Sequence, residues 1–313
     1  MENQKKASPA LVMVAFAIVY IVWGSTYFFI SLGVEHIPPY LMAGLRFLVA
    51  GLLLMGWCAF KKLPLIHPPQ IKAAAISGIL LLFISNGSVG LIEKTLPSSL
   101  VAIFLSATPI SFVLLDKPMW KANFSSSSTL AGLAVGLLGV ILLFIERLQS
   151  VSFAGSSLEL ICMAGLIFTS LSWAGGSLYS KYYASGPIMV TTAWQMLAAA
   201  VVCITFSTLI GEVKNFNPAT VPAKSWLALG YLIIFGSLAG FSAYVWLLQV
   251  RTATQVSTHA FVNPVVAVIL GVFFAGDTMS VLQLAGLFVI LISLLLINLN
   301  KYRKPKAAKA ADN

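Results

Sequence analysis

Long apolar stretches recur about every thirty residues along the chain, with short polar segments between them. A helix that crosses a bilayer needs roughly 20 mainly apolar residues, because the hydrocarbon core is about 30 Å thick and each helical residue adds about 1.5 Å. Ten stretches fit this requirement, although the fifth is short and Pro109 interrupts the fourth. The predicted segments are 10–34, 39–60, 71–92, 97–115, 130–145, 158–182, 189–210, 225–249, 254–274 and 281–299. This pattern predicts an all-α polytopic membrane protein.

Lys and Arg are distributed unevenly between the two sides of these segments. With the N-terminus in the cytoplasm, fourteen of them fall on the cytoplasmic side and four on the opposite side, which leaves Arg46 inside a segment. Cytoplasmic loops carry the excess of positive charge in membrane proteins. We therefore expect ten segments, both chain ends in the cytoplasm, and a basic cytoplasmic tail over 300–313.

Composition agrees with a membrane protein and disfavours other classes. The mean hydropathy is +0.95, and only 9% of the residues are charged. The net charge of +10 is spread over short loops, whereas nucleic-acid binding would need a basic face on a soluble domain. The first apolar run is too long for a signal-peptide core, so we expect it to remain as a helix. The three cysteines lie far apart in predicted segments and suggest neither a disulfide nor a metal site.

The two halves of the chain, 10–145 and 158–299, each contain five predicted segments and share residues in one register. An odd number of segments means that the second half enters the membrane from the opposite side. Inverted repeats of this kind are typical of transporters, because exchanging the conformations of two related halves moves the opening of a cavity. The matching positions, separated by 149 to 155 residues, include Trp23 and Trp173, Tyr27 and Tyr179, and Thr108-Pro109 and Asn263-Pro264.

Three segments carry a family resemblance: WGSTYFFI at 23–30, PPYLMAGLRFLVAG at 38–51 and HAFVNPVVAVILG at 259–271. Together with the ten segments, they resemble the EamA-type branch of the drug/metabolite transporter superfamily over roughly 10–299. The resemblance implies two EamA units with a central cavity between them. It also implies an inner-membrane permease, often an exporter of amino acids or related metabolites.

Arg46 is the one Lys, Arg, Asp or Glu that lies well inside a predicted segment. Burying its charge costs a few kcal/mol, so the side chain should face a wet cavity or a partner. It could bind a substrate carboxylate through two parallel hydrogen bonds. Alternatively, it extends to the membrane surface or joins helices through backbone carbonyls.

Other polar and aromatic residues inside the segments are further candidates for a substrate-binding cavity. Asn86 could line the cavity or bridge two helices. His259 could carry a proton, or act as a neutral hydrogen-bond donor to a neighbouring helix. Gly236 and Gly240, four residues apart, predict a small-residue face for helix packing. The remaining candidates for substrate binding are Trp23, Tyr27, Ser106, Trp173, Gln195, Tyr244 and Asn263.

Pro109 and Pro264 occupy matching positions in the fourth and ninth segments. A proline inside a helix removes one backbone hydrogen bond and frees a carbonyl one turn earlier. The positions predict bends with exposed carbonyls near residues 105 and 260, suited to a hinge or a binding site, although a static bend would look the same.

These patterns favour a secondary transporter of small organic metabolites such as amino acids, which works by alternating access. An intramembrane enzyme is disfavoured, because no nucleophile and base, metal set or carboxylate pair lies in the segments. A receptor or scaffold built on a transporter fold remains the alternative. No cofactor, metal, nucleic acid or obligate protein partner is expected, and the expected partners are the solute and the lipid bilayer. Without an intramembrane Asp or Glu, a carboxylate-switched proton antiport is also not expected.

Overall fold

The computed structural model describes residues 7–92, 95–96, 98–149, 156–214, 216–270 and 280–302, and these parts of the chain form helices joined by short loops. Nine of the described helices are long and apolar enough to cross a membrane, and the stretch 98–115 supplies a tenth in two pieces. We number them α1 (Pro9–Val34), α2 (Pro39–Phe60), α3 (Pro68–Ile92), α4 (Ser98–Ser106 and Thr108–Leu115), α5 (Ser127–Gln149), α6 (Ser157–Tyr183), α7 (Ile188–Leu209), α8 (Ala223–Val250), α9 (Ala253–Leu270) and α10 (Val281–Tyr302). The predicted all-α fold with ten segments is confirmed.

Local sequence signals explain where several helices begin. Pro9, Pro39 and Pro68 each occupy the first helical position, where the missing N–H is not needed and the fixed φ angle suits a helix. At the start of α6, the Ser156 side chain accepts a hydrogen bond from the Glu159 backbone N–H, and the Glu159 carboxylate accepts one from the Ser156 N–H. This reciprocal capping satisfies two backbone donors at the helix end.

Helix packing follows the predicted relation between the two halves. Helix α2 packs along α7, and α5 packs along α10, so each of these pairs joins equivalent helices. Helix α1 packs against α8 and α9, while its counterpart α6 packs against α3 and α4. Exchanging the two halves therefore reproduces the same set of contacts, as expected for a duplicated five-helix unit.

Glycines allow the close approach of α5 and α10. A Cβ atom added at Gly286 would lie 2.7 Å from the Leu143 backbone nitrogen and 2.8 Å from the Gly139 carbonyl oxygen. Only glycine fits between two helix backbones at such distances, and small residues commonly have this role in membrane proteins. The outward faces carry apolar side chains such as Leu138 and Leu295, as a surface in contact with lipid requires.

Two helices contain wide π-helical turns at equivalent places in the two halves. These turns span Ile79–Gly87 in α3 and Leu232–Phe241 in α8. The i→i+5 pattern is rare and often occurs at functional sites. Hydrophobic periodicity gave no sign of these π-helical turns.

Helix bounds differ from the predicted ones mainly in α4, α5 and α9. Helix α5 extends beyond the short predicted stretch 130–145 at both ends. Helix α4 breaks at Ala107, two residues before Pro109, and the first turn of α9 is separated from the rest at Thr258. The predicted end of the ninth segment, 271–274, and most of the predicted tail lie outside the described residues.

Candidate functional site

A cavity of about 150 Å³ lies between the two halves. A single water needs roughly 10–15 Å³ of comparable space, so the cavity has room for several waters or for a small solute. Helices α1, α2, α3 and α4 of the first half and α6, α8 and α9 of the second contribute to its wall. On α1 the lining runs from Trp23 to Val34, and on α2 from Pro39 to Phe47. The cavity therefore extends from the middle of the bundle to the end where the short loop 35–38 joins α1 to α2.

Arg46 lines this cavity and is only 6% exposed. Its Nε–H donates a hydrogen bond of 2.7 Å to the Ser237 hydroxyl on α8, and its Cζ atom lies 5.1 Å from the centre of the Phe47 ring. Among the described residues, the Arg46 side chain has no ion-pair partner and no other hydrogen bond. Its terminal amino groups are therefore available for an anionic group in the cavity.

Glycines of the π-helical turn in α8 make room for two side chains of the first half. A Cβ atom at Gly236 would lie 2.7 Å from Nη2 of Arg46, and one at Gly240 would lie 2.6 Å from Nε1 of Trp23. The same Trp23 nitrogen donates a 3.1 Å hydrogen bond to the Gly236 carbonyl oxygen. The predicted small-residue face is thus a packing surface, and the ends of the Arg46 and Trp23 side chains pack against it.

Aromatic rings close around the inner end of the cavity. The Trp23 ring lies 5.5 Å from that of Trp173, 4.8 Å from that of Tyr244 and 5.1 Å from that of His259, measured between ring centres. His259 is buried, and its Nδ1 lies 2.9 Å from the Val256 carbonyl oxygen. Because a carbonyl only accepts, Nδ1 must carry the proton, which leaves Nε2 of the neutral ring as an acceptor.

Two asparagines complete the polar part of the lining. Asn86 lies in the π-helical turn of α3 and is half-buried, and its amide makes no side-chain hydrogen bond to the described residues. Asn263 on α9 is buried, and its Oδ1 atom has no hydrogen-bond partner there. Unsatisfied amide groups beside a cavity favour a polar occupant, because leaving them unpaired costs free energy.

The opposite end of the bundle is closed by hydrogen bonds between the two halves. The Tyr20 and Thr258 hydroxyls lie 2.7 Å apart, and the Tyr182 hydroxyl donates a 2.6 Å bond to Asp116. No residue of the cavity lining lies at this end, near the start of α1. In the part of the chain that the structure describes, the cavity therefore reaches one end of the bundle, and hydrogen bonds close the other end.

Asp116 is a buried acidic residue at the closed end of the bundle. The residue follows directly after α4 and is 1% exposed, and its second oxygen, Oδ2, has no hydrogen-bond partner among the described residues. A buried carboxylate thus lies between the halves at the closed end, one residue beyond the predicted segment 97–115. Its position after an apolar helix and before Lys117 resembled an ordinary loop.

The carbonyls freed by the two prolines, which were predicted to be exposed, both accept hydrogen bonds from nearby hydroxyls. The Leu105 carbonyl oxygen accepts a 2.5 Å hydrogen bond from the Thr108 hydroxyl, and the Ala260 carbonyl oxygen accepts a 3.1 Å bond from Ser106. Nearby hydroxyls commonly re-satisfy such groups in membrane helices. Pro264 lies within an unbroken helical stretch, His259–Leu270, so the interruption of α9 lies earlier, at Thr258.

Seven of the ten predicted site residues line the cavity: Trp23, Tyr27, Arg46, Asn86, Trp173, His259 and Asn263.

The other three predicted site residues lie outside the cavity lining. Ser106 is buried and donates a hydrogen bond to the Ala260 carbonyl oxygen. The Gln195 amide nitrogen donates to the Ser77 and Ser180 hydroxyls, and these two bonds connect three helices. Tyr244 lies fully buried behind the tryptophans and shares a 2.6 Å hydrogen bond with Ser177. Ser237 was not predicted as a site residue, because a serine inside an apolar helix has no distinguishing spacing.

An ion pair joins the two halves at the open end. Lys224, in the first turn of α8, donates a 2.7 Å hydrogen bond to Glu35, which follows the last residue of α1. This hydrogen bond, with the positive charge of the ammonium, lowers the pKa of the Glu35 carboxyl. Both side chains are about half exposed, so the pair holds the rim only weakly.

Comparisons with known proteins agree with this architecture. The family model described as the EamA-like transporter family matches residues 10–145 and 160–299. The uncharacterized inner membrane transporter YedA of Escherichia coli K12 is 37% identical over 290 residues, which cover 92% of this chain and 90% of that protein. A probable amino-acid metabolite efflux pump of Salmonella typhimurium is 25% identical over 307 residues, covering 94% of this chain and 96% of the pump.

A solved crystal structure with 18% sequence identity has the same fold. It superposes with a TM-score of 0.78 and covers 95% of this chain and 99% of its own. The family match over both halves and the similarity to YedA lead to one conclusion: the chain belongs to the EamA-like transporter family, within the drug/metabolite transporter superfamily, and is a multi-pass membrane transporter.

Proposed function

We propose that this transporter carries amino acids with apolar side chains out of the cell across the inner membrane, by alternating access through the cavity between its two five-helix halves, 10–145 and 158–299. The Salmonella relative, named as a probable amino-acid metabolite efflux pump, supports both the substrate class and the direction. With the N-terminus in the cytoplasm, as the charge distribution predicts, the open end faces the outside.

The observation that carries the proposal is the state of Arg46. Its charge is buried beside a cavity, no acidic partner lies within ion-pair distance among the described residues, and its terminal amino groups are unpaired. A buried cation without a partner is costly in a membrane protein. A substrate carboxylate supplies the missing charge and two acceptors in the planar arrangement that a guanidinium matches.

The rest of the lining suits the other parts of such a substrate. Trp23 and Trp173 offer aromatic surface to an apolar side chain. Nε2 of His259 offers an acceptor to an ammonium group, and the tryptophan faces attract cations. An anion alone would leave this acceptor unused, so a zwitterion with an apolar side chain fits the lining better.

Alternating access requires that the closed end open while the open end closes. At the closed end the hydrogen bonds between halves would have to break, among them Tyr20 to Thr258 and Tyr182 to Asp116. At the open end the mouth of the cavity would have to narrow, while the Glu35–Lys224 ion pair already joins the two halves there. Rocking of two similar halves exchanges these two arrangements.

Flux of L-phenylalanine into liposomes that contain the purified protein tests the proposal. We expect saturable transport by the wild type and a KM raised at least tenfold in Arg46→Gln, because the charge-assisted hydrogen bonds to the carboxylate are lost. Arg46→Lys should fall between the two, since an ammonium cannot bind bidentately. Lys72→Gln, which removes an exposed cation outside the cavity, is the matched control and should behave as wild type.

The alternative, a receptor or scaffold on a transporter fold, predicts a different result. L-phenylalanine would then raise the thermal stability of the protein without crossing the membrane. If the wild type neither transports nor binds L-phenylalanine, amino acids of this class are excluded as substrates.

A further inference from the structure

The guanidinium of Arg46 is anchored by the opposite half of the molecule. Arg46 belongs to α2 of the first half, and its Nε–H donates to the Ser237 hydroxyl on α8 of the second. Ser237 is fully buried, and among the described residues it is the one hydrogen-bond partner of the Arg46 side chain. Among the described residues, this hydroxyl is therefore the polar contact that orients the guanidinium.

The hydrogen bond selects which edge of the guanidinium meets the substrate. A planar guanidinium can bind a carboxylate through both terminal amino groups or through Nε and one amino group. Because Ser237 occupies Nε, the edge formed by Nη1 and Nη2 is the one left for an anion. The Phe47 ring, 5.1 Å from Cζ, supports the guanidinium on one side.

Gly236, the neighbour of Ser237, provides the space that the guanidinium fills. A Cβ atom at this position would come within 2.7 Å of Nη2, far inside normal contact distance. The clashing atom is the tip of a long side chain, so an alanine here would displace the guanidinium while the helix backbone stays in place. Both residues lie in the π-helical turn Leu232–Phe241.

We propose that Ser237 is a positioning residue for substrate binding: it orients Arg46 toward the substrate carboxylate, and Gly236 keeps the position open. This inference rests on the proposed function. It also gives the π-helical turn of α8 a role, because the turn presents both the anchoring hydroxyl and the bare backbone to α2. Since anchor and arginine lie on different halves, the orientation of Arg46 lasts only while α2 and α8 keep this arrangement. Carboxylate affinity then differs between the two states of the transport cycle.

Kinetics of L-phenylalanine flux in liposomes test the role of Ser237. Ser237→Ala should raise KM about tenfold with little change in the maximal rate, and Ser237→Thr, which keeps the hydroxyl, should restore the wild-type KM. Ser242→Ala is the matched control. Ser242 lies on the same helix and is also buried, but its hydroxyl has no hydrogen-bond partner among the described residues, so KM should not change.

A double-mutant cycle separates positioning from a general packing effect. If Ser237 acts through Arg46, the Ser237→Ala change should have no further effect on KM once Arg46 is glutamine. Gly236→Ala should raise KM about as much as Ser237→Ala, whereas Gly230→Ala, where a Cβ atom meets nothing within 4 Å, should leave it unchanged.

The outcomes distinguish this inference from the proposed function. If the wild type carries no L-phenylalanine, or if Arg46→Gln leaves KM unchanged, the proposed function is wrong, and the inference falls with it. If Arg46→Gln raises KM but Ser237→Ala and Gly236→Ala do not, the proposed function stands and the positioning role is wrong. An equal rise of KM in Ser242→Ala would also overturn it.

Discussion

The hydrogen bond between Tyr182 and Asp116 should hold the closed end of the bundle shut. Tyr182, near the end of α6, donates from its hydroxyl to Oδ1 of Asp116 over 2.6 Å, and this bond connects the two halves. In Tyr182→Phe the carboxylate would remain buried with neither oxygen satisfied, because Oδ2 already lacks a partner among the described residues. Opening this end exposes Asp116 to water, so loss of the hydrogen bond destabilises almost only the closed state.

The size of the effect follows from the geometry of the pair. A hydrogen bond to a charged group contributes about 1.5–3 kcal/mol. We take the lower value, about 1.5 kcal/mol, because Tyr182 is 42% exposed and water partly competes for its hydroxyl. Since every 1.4 kcal/mol is a factor of ten, the ratio of opened to closed molecules should rise about tenfold. An opened state populated at about 1% would reach about 9%.

Labelling of a buried cysteine at the closed end measures this ratio. In a background without Cys58, Cys162 and Cys203, Ser257→Cys places a nearly isosteric thiol where the wild-type side chain is fully buried. A maleimide should label it about ten times faster in Tyr182→Phe than with Tyr182 intact. Equal rates in the two proteins would refute the reasoning.

The neighbouring tyrosine supplies the control for this experiment. Tyr183 is 65% exposed, and its hydroxyl has no partner among the described residues. Tyr183→Phe should leave the labelling rate unchanged. An equal acceleration in both variants would point to a general loosening of α6, and the role assigned to the Tyr182 hydrogen bond would be wrong.

Two further predictions concern stability, measured as the midpoint of thermal unfolding in detergent. Gly286→Ala should lower the midpoint by an amount that corresponds to about 1–3 kcal/mol, because its Cβ would meet the Leu143 backbone. Gly56→Ala is the control and should leave the midpoint unchanged, since a Cβ there meets nothing within 4 Å. The lowered pKa of Glu35 means that its ion pair stabilises the fold above the ordinary carboxyl pKa and that this contribution is lost as the pH falls through the lowered value. Between about pH 7 and pH 3, wild type should therefore lose slightly more stability than Lys224→Gln, and a larger loss in the variant would contradict this sign.

The fold was largely predictable, because its main determinants are local. Apolar length sets the number of segments, and the matched Trp23 and Trp173 indicated the duplication. The bounds of α5 were predicted too short, since Ser127 and its polar neighbours extend the helix beyond its apolar part. No periodicity could show the π-helical turns, because they change the register without changing the residue types.

The candidate site was most readily predictable where a residue is costly to bury. Arg46 and His259 stood out for that reason, and both line the cavity. Gln195 stood out equally, but its amide is bonded to serines within the helix packing. Ser237 and Asp116 gave no signal, because their importance depends on contacts between residues far apart in sequence. The role of the lining residues in substrate binding stays a prediction.

A reversible cross-link between the two halves is the most direct test of alternating access. The hydroxyl oxygens of Ser111 on α4 and Ser170 on α6 lie 2.9 Å apart, so cysteines at both positions should form a disulfide in the present arrangement. In the cysteine-free background, we predict that oxidation of the double variant stops L-phenylalanine flux and that a reducing agent restores it, while each single variant is unaffected. Undiminished flux through the oxidised protein would contradict the central claim that the two halves must move relative to each other.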